Sequence, residues 1–264
     1  MLAESFTLYH KIRRRIALEG LTDFLYTVAA ILNYPRNGFP RYGVDEFMKA
    51  VSEKVKDGDL MLDAGAGHCP YKGLFSHTRY ESCDFKPVLE ETGGNTEIAH
   101  TFFCDLETIP RGSSLYDAII CNQVFEHVKH PEKVISEFNR ILKPGGKLFL
   151  TAPQCAGIHM APYHFFNFTQ YGLKLLFEEA GFRVVAIKSL GGIFWVFGKV
   201  MQKSYEALMG KIRRPFKPFF LPVHLLIRFV LFIVSFILFQ MDKLDQEKGW
   251  TLNYGCYCVK PEGN

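Results

Sequence analysis

A chain of 264 residues makes one large domain, or one domain with attachments, more readily than two full domains. Its 48% hydrophobic and 22% charged content excludes a disordered chain, a collagen and a disulfide mini-protein. A net charge of +4, from 31 basic and 27 acidic residues, is too mild to argue for nucleic acid, and no nucleic-acid partner is expected. The seven cysteines, at 69, 83, 104, 121, 155, 256 and 258, are odd in number and contain no CxxC. That is the pattern of reduced, mostly buried thiols in a cytosolic protein.

Residues 1–42 read as an arm or cap, helical to about Leu32, with bases at Lys11, Arg13, Arg14 and Arg15. Glu19 and Asp23 interrupt its apolar stretch, so it fails as a signal peptide. The prolines and glycine of 33–40 stop that helix. A second helix is predicted over about 44–55. Strand and helix signals then alternate to about Lys188, with strands expected at 60–62, 80–83, 101–104, 118–121, 147–151 and 183–187. Residues 131–142 carry Val134, Ile135, Phe138 and Ile141 at helical spacing, and Lys143-Pro-Gly-Gly146 stops the pattern. A further helix is expected over 169–180, with Thr169 as its N-cap. The alternating run 250–259 is a last strand. The expected organisation is an arm (1–42), an α/β core (43–190 plus 249–264) built on a mostly parallel sheet with helices on both faces, and a helical insertion (191–248).

The segment Leu60-Met-Leu-Asp63-Ala-Gly65-Ala-Gly67-His-Cys69-Pro70 is an apolar strand ending in an acid, then a two-glycine turn. Glycine permits positive φ and lets a ligand approach the backbone, and nucleotide-like ligands bind at the carboxyl ends of such strands. The next strands end at Asp84, at Asp105-Leu106 and at Asn122-Gln123. Four successive strands thus end in polar groups along one sheet edge. No Lys or Arg occurs between 60 and 71, which suits a cationic, phosphate-free ligand, although a dinucleotide tolerates the same acids.

With LDAGAG (62–67), CDLETIP (104–110), YDAIICNQVFEHVKHP (116–131), LKPGGKLFLTAP (142–153) and FEEAGF (177–182), the chain resembles class I S-adenosylmethionine-dependent methyltransferases, in particular the small bacterial group with Glu-His after the fourth strand. The resemblance implies a Rossmann-like seven-stranded sheet of order 3-2-1-4-5-7-6 with strand 7 antiparallel, and S-adenosylmethionine as cofactor. It places Asp63, Gly65 and Gly67 on the cofactor's methionine part, Asp84 on its ribose, Asp105 and Leu106 at the adenine, and Asn122 and Gln123 beneath the sulfonium. The family's third glycine is Cys69 here, followed by Pro70, so a very short helix is expected after the turn.

A hydroxyl acceptor must lose a proton, which calls for a histidine or carboxylate within reach. Glu126 and His127 follow the fourth strand, and His159, Tyr163 and His164 lie in an aromatic loop after the fifth. We assign His127, His164 and Glu126 as candidate catalytic groups and His159, Tyr163 and His164 as acceptor-binding; a metal on Glu126, His127 and His130, with His159 or His164 as a further ligand, is the lesser alternative, and no metal is expected.

In the insertion, 223–239 is apolar apart from His224, Arg228 and Ser235, and bases at 199, 203, 211, 213, 214 and 217 precede it. Seventeen residues with an arginine are short of the roughly 20 that a span needs, and residues 250–259 must return to the same sheet. The segment is read as lying in the membrane interface with Arg228 at anionic headgroups. A homodimer surface and an internal roof over a greasy channel are the other uses. The sequence thus describes a cytoplasmic, peripherally membrane-associated methyltransferase. Its expected acceptor is a small or lipid-linked glycan, as in methyltransferases of surface-glycan pathways. The alternatives are a quinone-type lipophilic phenol, and a membrane-tethered protein that binds the cofactor without catalysis.

Overall fold

The structure, a computed structural model, describes residues 39–86, 98–210 and 221–262. The helix expected before Leu32 and the bases at 211, 213, 214 and 217 lie outside these residues. The chain divides into two compact units, one formed by Gly43–Leu190 with Trp250–Asn264, the other including Gly191–Gly249.

The larger unit is built from α1 (Phe39–Ser52), β1 (Leu60–Ala64), β2 (Arg79–Asp84), β3 (Phe102–Phe103), β4 (Tyr116–Asn122), α2 (Pro131–Ile141), β5 (Leu142–Pro153), α3 (Gln170–Glu179), β6 (Arg183–Leu190) and β7 (Asn253–Val259). Its strands form one sheet in the order β3-β2-β1-β4-β5-β7-β6, with β7 antiparallel to both β5 and β6. This is the Rossmann-like class I order. Central strands buried on both faces need apolar residues in near-continuous runs, as β1 and β4 have. Alternate residues serve opposite faces. Leu62 and Ile119 pack with Val134, Ile135, Phe138, Leu173 and Phe177 of α2 and α3, and Met61 and Ile120 with Val44, Met48 and Val51 of α1.

Two boundaries differ from those expected. Helix α1 begins at Phe39 rather than near 44, because Pro40 falls in its first turn, where no amide donor is demanded. Strand β5 starts at Leu142, directly after α2, and runs through Lys143-Pro-Gly-Gly146. Gly145 takes φ +76°, and a Cβ at Gly146 would lie 2.7 Å from the Lys143 carbonyl oxygen, so the glycines serve a bent strand entry. After the glycine turn only a single 3-10 turn forms, Lys72–Phe75, as Cys69-Pro70 led us to expect.

In the other unit, α4 (Ile193–Gly210) and α5 (Leu221–Met241) form a hairpin. Trp195 stacks on Phe239 with centroids 4.7 Å apart, Gln202 Nε2 donates to Ser235 Oγ at 3.0 Å, and the Tyr205 hydroxyl meets His224 Nδ1 at 2.7 Å. Asp242 and Asp245 accept from the amides of Gly192 and Ile193, both at 2.8 Å, which places negative charge at the start of α4. Residues Val223–Leu244 are long and apolar enough to cross a membrane by length and composition alone. The polarity of α5 is inverted. Val223, Leu226, Ile227, Phe229, Val230, Ile233, Phe236 and Ile237 are exposed, whereas Arg228 and Ser235 are 7% and 5% exposed. Arg228 therefore does not present itself to headgroups as expected. It shares one helical face with His224 and Ser235, and that face packs inward.

Candidate active site

The carboxyl ends of β1, β2 and β3 lie side by side because these strands are parallel neighbours, with Asp63 opposite Ser82 and Asp84 opposite Phe103. Asp63 is 3% exposed and accepts a hydrogen bond from the Tyr80 hydroxyl at 2.5 Å. Burial, helped by the charge of Asp84, pushes its carboxyl up to about 7 against the pull of Tyr80. Asp84 Oδ2 accepts from the Gly67 amide at 2.6 Å and Oδ1 from the Phe85 amide at 2.7 Å. The carboxylate thereby holds the glycine turn against the end of β2. Gly65 and Gly67 take φ +75° and +53°. A Cβ at Gly65 would sit 2.5 Å from Val124 Cγ2, whereas one at Gly67 would meet nothing within 4 Å. Asp105 is exposed, its Oδ1 accepting from the Glu107 amide at 2.9 Å, and Leu106 is buried beside it. Asn122 and Gln123 are both tied to Thr151 of β5. The Thr151 hydroxyl donates to Asn122 Oδ1 at 2.6 Å and accepts from the Gln123 amide at 3.1 Å. Gln123 itself takes φ +55°.

The two groups of candidate catalytic residues converge. Backbone amides of Phe165 and Phe166 donate to the Glu126 carbonyl at 2.9 and 3.3 Å, and Phe168 to the Pro153 carbonyl at 2.8 Å, which folds the loop after β5 over the turn after β4. The His127 and His159 rings are 4.9 Å apart, His159 and His164 4.4 Å. Glu126 is 1% exposed, and burial pushes its carboxyl up to about 7. Burial first, and His159 and His164 after it, lower the His127 imidazole against the opposing pull of the Tyr163 carbonyl. His164 has both ring nitrogens near backbone partners, Nδ1 accepting from the His159 amide and Nε2 facing the Phe166 carbonyl, each at 3.2 Å. His130 stands apart, exposed beside Glu132.

Residues 36–187 match the methyltransferase domain family, more than half of the chain. The chain belongs to that family. Its fold is that of the class I S-adenosylmethionine-dependent methyltransferases. It is similar to a ubiquinone/menaquinone biosynthesis C-methyltransferase of Bordetella parapertussis, 30% identical over 93 residues that cover 34% of this chain and 36% of the relative. It also resembles a mitochondrial ubiquinone biosynthesis O-methyltransferase of Mus musculus, 41% identical over 67 residues, 25% of this chain and 17% of that one. The chain thus spans about a third or less of the length of these curated relatives. Among solved structures, a protein described as a sarcosine dimethylglycine methyltransferase of Galdieria sulphuraria matches with TM-score 0.50 and 18% identity over 85% of each chain. The cyclase SpnF matches with TM-score 0.50 and 16% identity, over 83% of this chain and 82% of its own. These two likenesses concern the fold.

The methyltransferase edge fits its cofactor. It carries the carboxyl groups of Asp63 and Asp84, open space at Gly67, and no Lys or Arg between 60 and 71, a chemistry that suits a cationic, phosphate-free ligand. Three supporting residues escape sequence reasoning. Tyr80 holds Asp63, Thr151 holds Asn122 and Gln123, and Val124 packs on Gly65. Tyr80 lies two residues before Ser82, the partner of Asp63, so strand alternation puts it on the face of Asp63. Thr151 and Val124 carry no such signal.

Proposed function

We propose that this chain methylates a hydroxyl oxygen of a lipophilic phenol of the quinone class, at a membrane surface, with S-adenosylmethionine as donor. The observation that carries the reading is the meeting of Glu126, His127 and His159 immediately beyond Asn122 and Gln123. When bound, the cofactor supplies a methyl carbon already activated on a sulfonium. The protein has to hold the acceptor in line and make its oxygen nucleophilic, and alignment alone supplies up to about 7–11 kcal/mol in the best cases. In this reading Asp63, Gly65, Gly67, Asp84, Asp105 and Leu106 hold the donor, and Asn122 and Gln123 lie beneath its sulfur. An imidazole of the Glu126–His127–His159 group takes the acceptor hydroxyl's proton, and the Glu126 carboxyl group stands beside the imidazolium that forms. Tyr163 and the half-exposed Phe165 and Phe166 give a flat ring a bed, and His164 positions His159.

The names of the relatives favour a quinone-type acceptor over the lipid-linked glycan expected from the sequence. The inverted polarity of α5 supports the membrane surface, because an exposed apolar face of this kind is costly in water and at home in lipid. A tritium-methyl screen of quinone-precursor phenols, glycolipids and other lipid extracts tests the acceptor class. Label in the phenol fraction is the expected result, and label only in sugar lipids overturns it. A chain that binds the donor yet labels nothing is the non-catalytic tether.

Asp63 gives the donor site a pH dependence. Between its ordinary value near 4 and about 7, the folded chain keeps on Asp63 a proton that the unfolded chain has lost. Its contribution to stability therefore falls as pH rises through that window. A cationic donor pairs with the ionised form, so affinity is expected to rise by up to about tenfold per pH unit below 7 and to level off above. Binding near pH 6 should release a proton, read by calorimetry in buffers of different ionisation enthalpy. Asp63→Asn should remove both the slope and the proton release.

A further inference from the structure

The sequence reading expected no metal, yet the acceptor side of the site has an excess of lone pairs. A carbonyl oxygen only accepts, so the hydrogen bond from His127 Nδ1 to the Tyr163 carbonyl, 2.5 Å, fixes the proton on Nδ1. The same holds for His159, whose Nδ1 lies 3.0 Å from the Gly157 carbonyl. Each neutral ring then turns a bare Nε2 inward, and both lie 3.9 Å from Glu126 Oε1. Glu126 is 1% exposed, and its Oε2 has no hydrogen-bond partner among the described residues. The three donor atoms lie within 4.8 Å of one another.

We propose that Glu126, His127 and His159 bind a divalent transition-metal cation of the zinc class, through one carboxylate oxygen and two Nε2 atoms. Backbone carbonyls on the far nitrogens are the outer-shell partners that orient ligating histidines. Two imidazoles with one carboxylate suit borderline cations such as zinc, cobalt or iron(II), and a three-donor set leaves positions open. Donors about 2.1 Å from a cation lie roughly 3–3.4 Å apart, so His127 and His159, each 3.9 Å from Glu126 Oε1, both close by about half to one ångström, and His159, 44% exposed on its loop, has the freer path. A cation here eases loss of a proton from a bound hydroxyl. This deepens the function proposed above, on which it rests: the cation stabilises the charge on the acceptor oxygen, and the proton leaves to water instead of to an imidazole.

The test uses the full chain without a histidine tag, stripped with chelator and titrated with Co(II) by absorption and calorimetry. One Co(II) per chain is expected. His159→Ala, a change on an exposed loop, should weaken binding by more than the about 10–100-fold that loss of an outer-shell partner costs. Glu126→Gln should do the same, and His130→Ala should leave it unchanged. Absence of stoichiometric Co(II) in the wild type, or undiminished binding in His159→Ala, overturns the site. S-adenosylmethionine is titrated into the same samples. Retained donor binding shows that the variants are folded, and its absence from the wild type counts against the methyltransferase reading while the Co(II) result stands by itself.

Discussion

Gly65→Ala is expected to weaken S-adenosylmethionine binding at least about 100-fold and to lower stability by about 2–5 kcal/mol. Two effects add. Alanine at φ +75° carries the left-handed penalty of about 1–2 kcal/mol. Its Cβ would stand 2.5, 2.6 and 3.0 Å from three carbons of Val124, so that whole residue must move, at an overpacking cost of about 1–3 kcal/mol. Val124 joins Gln123 to the Phe125–His127 turn, so its displacement disturbs the donor site and the Glu126–His127 pair together. Gly67→Ala is the control. Its Cβ meets nothing within 4 Å, so it should lose only about 1 kcal/mol from its φ of +53°. Urea unfolding and donor calorimetry on both variants decide the matter. Wild-type affinity in Gly65→Ala would show that the turn does not hold the donor.

The second large effect concerns the hairpin. Phe229→Asp with Ile233→Asp is expected to abolish flotation with anionic vesicles, while S-adenosylmethionine binding is kept. Both side chains are exposed, at 54% and 41%, so the replacements remove only peripheral packing from the folded protein. In lipid each apolar side chain is worth about 1.5–3 kcal/mol. Losing both weakens partitioning by about 10²–10⁴-fold. Equal flotation of wild type and variant would remove the membrane reading and leave the methyltransferase fold untouched.

Much of this protein is written locally. The acid-glycine turn after β1, the helical spacing of 134–141 and the Thr169 cap, which accepts from the Gly172 amide at 3.1 Å, are each a matter of a few neighbouring residues. Their physics is short-ranged, in allowed φ, side-chain period and orphan amides. The alternation of strand and helix signals adds the parallel sheet. Nothing local announces that β5 starts without a break at Leu142, since the proline and glycines there suit a loop equally well. The pairing of Tyr116 with Leu142 decides it.

The donor side of the candidate site follows from the ends of successive strands, which parallel pairing brings together. The acceptor side does not. His127 and His159 come from different loops, and their meeting depends on the amides of Phe165 and Phe166 finding the Glu126 carbonyl. The hairpin teaches the same lesson. His224, Arg228 and Ser235 read as interruptions of an apolar run, but their spacing puts them on one face, and the packing of α4 against α5 turns that face inward.

The amino-acid order by itself determined the sheet, the glycine turn and the row of acids, because those depend on backbone stereochemistry and on alternation along each strand. Only the folded chain decided that three lone pairs share one space and that α5 wears its apolar side outward. Contacts between distant segments are set by how the elements pack, and no periodicity within one segment encodes its neighbour.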